Sequence, residues 1–214
     1  MRAVERRRGM GGKAEELSYI SDGLVFHLDG IDKGDTAGAW TDLINGTVFT
    51  GTAVAQSDSF FFENTYLSNS SFVLPANTDH TVELCYVETV SQNGVLFCSG
   101  NNAKGNIFVA PYFTMYMQSF NMYKHDRVIN RKYTISFNGE RCIQNGSSKA
   151  YQRVGSNYTN GRTNIGARYY GGNYQLFFRG NVYAIRVYNK TLTEAEIRNN
   201  QKVDNKRFKL GLSL

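Results

Sequence analysis

The chain has 214 residues, of which 41% are hydrophobic, 14% aromatic and 20% charged. That is too aromatic and too weakly charged for a disordered chain, and long enough for one packed domain. No run approaches the roughly 18 apolar residues of a spanning helix, so no membrane partner is expected.

The net charge of +6 is largely local: Arg2, Arg6, Arg7, Arg8 and Lys13 face Glu5 alone in the first thirteen residues. Residues 1–17 therefore read as a flexible basic arm. The remainder is near charge balance, which argues against a specific nucleic-acid partner. The arm lacks the apolar run of a signal peptide. Cys85, Cys98 and Cys142 form an odd set among apolar neighbours, which reads as small hydrophobes rather than a disulfide framework. Synthesis and folding in a reducing cytoplasm are expected.

From residue 18 onward, short apolar runs alternate with turn residues. Leu24–Leu28, Phe60–Phe62, Thr81–Val90, Val95–Cys98, Tyr133–Phe137 and Val182–Tyr188 are rich in β-branched and aromatic residues and predict strands. Asn-Gly pairs at Asn45, Asn93, Asn138, Asn145 and Asn160 supply the positive φ of tight hairpins, most clearly in KYTISF-NG-ERCIQ. One helix is predicted in LTEAEIRNNQKV. There Thr193 and Glu196 form a capping box, and Leu192 and Ile197 a hydrophobic staple. The pattern is all-β: an antiparallel sandwich of jelly-roll type over residues 18–214, with one short C-terminal helix.

Candidate chemistry is sparse. Glu83 and Glu88 stand five apart on a predicted strand, which places them on opposite faces unless a bulge intervenes. One is expected at the surface and the other at a rim. His27, His80 and His125 lack metal-ligand spacing, and His27 reads as a hydrogen-bonded structural residue. The Gly100–Gly105 stretch has no following Lys and Ser or Thr, so phosphate binding is not supported. Asp29, Asp32 and Asp35 follow the first strand, and Asp29 with Asp32 are the candidate calcium ligands. Two clusters mix the aromatic and amide side chains that bind sugars. The first is Tyr112, Tyr116, Gln118, Asn121 and Tyr123. The second, around Gly171-Gly172, is Arg168, Tyr169, Tyr170, Asn173, Tyr174 and Gln175. Trp40 reads as framework.

The order of segments is specific: GLVFHLDG, AWTDLING, FFFENTYL, HTVELCYVE, TNIGARYY and RGNVYAIRVYNKTLTEAEI. This series resembles the laminin-G-like, concanavalin-A-like lectin and glucanase jelly rolls found in structural proteins of phages and prophages of gut bacteria. The resemblance implies a lectin-like binding or structural module of a phage virion (a tail, fibre or head decoration) that contacts host-surface glycans; with no G-x-S-x-G elbow and no H-E-x-x-H spacing in the sequence, the chain reads as not an enzyme. It implies virion localisation, with other virion proteins bound through the arm, and leaves homo-oligomerisation open. The alternative is a purely structural virion protein, and a glycoside hydrolase ranks third.

Overall fold

The computed structural model describes residues 17–34, 38–72, 81–91, 93–99, 106–109, 114–116, 128–138, 141–150 and 162–214, with backbone alone at 106–109, 114–116 and 150. Its strands are numbered here in chain order. The first sheet has eight strands. They are β1 (Leu24–Asp29), β4 (Val54–Ala55), β5 (Phe60–Glu63), β7 (Thr81–Glu88), β11 (Lys132–Phe137), β12 (Arg141–Gln144), β13 (Ser147–Ala150) and β17 (Arg179–Tyr188). Its order is β13-β12-β11-β7-β17-β5-β4, and β1 also pairs with β17. The second sheet has seven strands in the order β10-β9-β8-β14-β6-β3-β2. These are β2 (Ala39–Thr41), β3 (Val48–Gly51), β6 (Leu67–Asn69), β8 (Gly94–Ser99), β9 (Asn106–Val109), β10 (Thr114–Tyr116) and β14 (Thr163–Ile165). A separate hairpin joins β15 (Arg168–Tyr170) to β16 (Asn173–Gln175). All the sheet pairings are antiparallel, so the expected all-β sandwich is what forms.

Alternation along the strands builds two layers of interior. On β7, Val82, Leu84 and Tyr86 face the second sheet, and β11 sends Tyr133, Ile135 and Phe137 to the same side. They meet Phe49, Leu67, Phe97 and Ile165 from the opposite sheet in one continuous core. Burying side chains of this size contributes roughly 1.5–3 kcal/mol each. Trp40 belongs to this framework: it is fully buried, stacks on Phe60 at 4.7 Å and donates its indole N–H to the Asp29 carbonyl.

The hairpin expected at KYTISF-NG-ERCIQ forms as β11 paired with β12. The next one, β12 to β13, turns on Asn145 (φ 46°) and Gly146 (φ 79°), a pair suited to the positive φ that a two-residue turn demands.

The predicted helix, α1 (Glu194–Arg207), runs past Val203, where the sequence pattern ends. Thr193 caps it, and the capping box with Glu196 is complete. Leu192 and Ile197 are both buried in a small cluster with Ile143 and Tyr188. Of the buried residues of α1, Asn200, Gln201 and Asp204 are polar, which is why hydrophobic periodicity stops signalling helix after its first turns. No helix among the described residues is long and apolar enough to cross a membrane.

What the polar face of α1 covers is a layer of polar groups on the outer side of the first sheet. Arg186 on β17 sits at its centre, 1% exposed. Its guanidinium donates to both Asp204 carboxylate oxygens, at 2.8 and 2.6 Å, and to Glu83 Oε2 at 2.8 Å. Tyr19 lies over the guanidinium at 4.2 Å and donates its hydroxyl to Asp204. Thr134 donates to Asp204, Ser136 to Glu83, and Asn200 to Glu83 and the Tyr188 hydroxyl. Burial pushes the Glu83 carboxyl up despite Arg186. The Arg186 guanidinium is held protonated, because Asp204 and Glu83 outweigh the burial that works against its charge.

This layer corrects the reading of the two glutamates. Neither is at the surface or a rim, since Glu83 and Glu88 are both buried. As the spacing predicts, they point to opposite faces of β7, with Glu83 on the α1 side. The reading of His27 is also corrected. Its ring lies edge-on to Tyr19, its Nε2 has no hydrogen-bond partner, and Asp29 Oδ2 is 3.8 Å away. Burial first, and then the nearby Arg186 charge, push this imidazole down from its ordinary 6.5 to about 3.

The sign of the resulting pH effect follows directly. Between pH 6.5 and about 3 the unfolded chain binds a proton at His27 that the folded chain refuses, so stability rises with pH across that window. The expected slope is up to about 1.4 kcal/mol per pH unit. Raised Glu83 contributes the opposite slope in both proteins, so the test is the difference: in urea unfolding from pH 4 to 7 the stability of the parent relative to His27→Gln should rise with pH.

Candidate functional site

The second aromatic cluster falls on the β15–β16 hairpin. Gly171 (φ 60°) and Gly172 (φ 87°) form its two-residue turn. The register pairs Arg168 with Gln175, Tyr169 with Tyr174 and Tyr170 with Asn173. Directly opposed residues in an antiparallel pair share a face, so these six candidates divide into two sets. Tyr169 and Tyr174 occupy one face; Arg168, Tyr170, Asn173 and Gln175 occupy the other.

The tyrosine face is turned toward the second sheet. Leu67 of β6 points into the core, so Ser68 points outward from that sheet, and the Tyr174 hydroxyl donates to Ser68 Oγ at 3.0 Å. Arg162 donates to the same hydroxyl at 2.9 Å and lies 4.8 Å over the Tyr169 ring. Tyr66, from the β5–β6 connection, stacks on Tyr174 at 3.5 Å and 16°, while Tyr169 meets Tyr174 edge-on at 5.1 Å. Tyr174 is thereby held on one ring face, at one edge and at its hydroxyl. It fixes the hairpin to the sandwich.

The opposite face meets solvent. Tyr170 is 45% exposed, with the Arg168 guanidinium 4.7 Å over its ring. Arg168 donates to Gln175 Oε1 at 3.3 Å, and Gln175 returns its amide N–H to the Tyr170 carbonyl at 3.2 Å. Exposed Asn173 donates to the Gly171 carbonyl at the turn. An aromatic face, a guanidinium and two amides thus lie side by side on a braced hairpin.

The remaining candidates scatter. Tyr112, Gln118, Asn121, Tyr123, His80, His125, Gly100–Gly105 and the arm over residues 1–16 lie outside the described residues. Tyr116 ends β10, of which only the backbone is described. Asp29 and Asp32 come together around a cation, but that cation is Arg207. Its Nε donates to Asp29 Oδ2 at 2.6 Å, and its Nη2 reaches Asp29 Oδ1 and Asp32 Oδ2 at 2.9 and 2.5 Å. Burial works to raise the Asp29 carboxyl. Hydrogen bonds from Arg207 and from the Asp32 and Ile31 backbone outweigh it and hold the group below the usual carboxylate range. These oxygens would have to leave Arg207 to ligate calcium, and no group of three or more potential metal ligands gathers among the described residues.

Tyr66, Ser68 and Arg162 were absent from the sequence-based candidates. No spacing signal marks them, because they come from two connections and a strand that are distant along the chain.

No protein-family profile and no curated protein matches this sequence. Solved structures do match. A Trypanosoma rangeli sialidase in complex with sialic acid superposes with a TM-score of 0.65 at 13% identity, over 86% of this chain and 33% of the sialidase. Domain 4 of AbnA, a GH43 extracellular arabinanase from Geobacillus stearothermophilus, was solved in complex with arabinotriose. It superposes with a TM-score of 0.61 at 11% identity, over 83% of this chain and 97% of that domain. This chain spans about a third of the length of the sialidase it matches. At these identities the likeness is one of fold, and the fold is one found in glycan-acting proteins.

These matches correct one expectation. The sequence reading holds that the chain is not an enzyme, yet the structures sharing its fold are sialidases and a domain of an arabinanase. At 11–15% identity these matches establish the fold alone, and the expectation that the chain is not an enzyme no longer stands.

The two faces of the hairpin make distinct predictions. Tyr174→Phe removes the hydroxyl that joins Ser68 and Arg162, and should cost about 1 kcal/mol in urea unfolding. Tyr170→Phe on the solvent face should change stability by less than about 0.5 kcal/mol.

Proposed function

We propose that this chain is a carbohydrate-recognition module that binds glycans on the solvent face of the β15–β16 hairpin. The observation that carries the reading is the half-exposed Tyr170, capped by Arg168 and flanked by Asn173 and Gln175. A sugar presents an apolar face for an aromatic ring and a rim of hydroxyls for amides and guanidinium. The anchoring of Tyr174 between Tyr66, Tyr169 and Ser68 supports the reading, because it fixes this surface before a ligand arrives and lowers the ordering cost. The arabinotriose complex of the arabinanase domain supports it at the level of fold.

In the virion setting implied by the segment order, this face would meet glycans of the host surface and the basic arm would join neighbouring virion proteins. The domain would then comprise residues 18–214.

Titration of the full chain against an oligosaccharide panel that includes arabinotriose tests the reading. Specific binding is expected, weakened at least about tenfold in Tyr170→Ala. Binding unchanged in that variant, or no binding to any glycan by a folded chain, would overturn it.

A further inference from the structure

A concave surface lies where the end of α1 and the tail after it meet the start of β11. Arg131, Lys132, Asn145, Leu210, Leu212 and Ser213 line a groove of about 280 Å³. Its walls are built without a ligand. The Asn205 side chain accepts from the Leu212 N–H at 2.9 Å and donates to the Leu212 carbonyl at 2.7 Å, clamping the tail. Leu210 is buried against Tyr183 and Phe208, and Leu212 packs on the same cluster. On the other side the Asn145 side chain accepts from the Thr134 N–H at 2.9 Å, fixing the turn.

The charge in this groove is one-sided. The Lys132 ammonium donates to the Phe208 carbonyl at 3.1 Å and lies 4.9 Å over the Tyr183 ring, both neutral partners. Arg131 is exposed, with its guanidinium 5.8 Å from the Tyr133 ring. No Asp or Glu lines the groove, and neither cation forms an ion pair with an acidic residue among the described residues. Several other cations of the described residues do have acidic partners: Arg141 and Arg198 pair with Glu194, Lys190 with Asp22 and Glu196, and Arg207 with Asp29 and Asp32. The carbonyl end of α1 at Phe208 partly offsets Lys132, and exposed Arg131 adds a second cation without an acidic partner among the described residues, so the potential in the concavity is positive.

We propose that this groove binds an oxyanion, a carboxylate or sulfate group, beside the apolar wall of Leu210 and Leu212. The group could arrive on an acidic sugar or as a free ion, and the two sources separate experimentally. Amide chemical shifts of the full-length chain are followed by NMR against glucuronate, sulfate and glucose at constant ionic strength. Saturating shifts centred on Arg131, Lys132 and Leu212 are expected with glucuronate, and binding about tenfold weaker in Arg131→Gln. Glucuronate binding above sulfate points to an acidic sugar; equal binding points to a free oxyanion. Glucose shifting the same amides as glucuronate, no saturable shift with either anion, or unchanged affinity in Arg131→Gln would each overturn the proposal. Arg131 is exposed and makes no ion pair among the described residues, so its variant keeps the fold.

Discussion

The structure depends on one buried guanidinium. Arg186 stands on β17, the strand that pairs with β1, β5 and β7, and holds Asp204 of α1 with two hydrogen bonds and Glu83 of β7 with a third. An Asp204 shift of one residue along the helix would bring Val203 or Asn205 to the guanidinium, neither of which can accept a charge-matched bidentate pair. The interaction therefore fixes the register of α1 on the sheet as well as its attachment. Taking three charges out of water is costly, and such a network is better understood as a specificity device here than as a net source of stability. Removing a single partner is another matter, because it strands the others in a dry layer.

The same logic orders the surrounding sequence. The segment Leu17–Asp22 is tied down because Tyr19 covers the guanidinium and Ile20 donates its N–H to Asn200 and accepts from Tyr188. Arg207 closes the far end of the helix on Asp29, whose carbonyl also receives the Trp40 indole. The helix, the first strand and the N-terminal segment thus share one polar layer, while the apolar core lies on the other side of the sheet. The candidate ligand surfaces are separate from both. The β15–β16 hairpin is braced on the second sheet, and the basic groove is shaped by the tail that leaves α1.

Much of the fold was legible in the sequence because it rests on local signals. The Thr193–Glu196 capping box, the Asn145-Gly146 turn and the alternation of Tyr133, Ile135 and Phe137 each act within a few residues. The polar layer was not legible. Arg186 in AIRVYN reads as an outward residue on an alternating strand, and only the arrival of Asp204 from a distant helix makes it interior. Glu83 and Asp29 were read as surface or ligand carboxylates for the same reason: their cations, Arg186 and Arg207, lie far along the chain. The hairpin was half legible. The composition of Arg168–Gln175 marks it, but its separation into an anchoring and an open face depends on a register set by Gly171-Gly172 and on Tyr66, which no spacing rule connects to it.

The central claim is that Arg186 holds α1 to the sandwich. Native-state hydrogen exchange of the α1 amides tests it most directly, with parent and Arg186→Met compared. Loss of one partner from a buried ion pair costs about 3–5 kcal/mol. In the parent, α1 should therefore exchange only on global unfolding. In the variant, its protection should fall by at least about a hundredfold relative to β8 and β14, which lie in the opposite sheet. Protection of α1 that falls no further than that of β8 and β14 would contradict it.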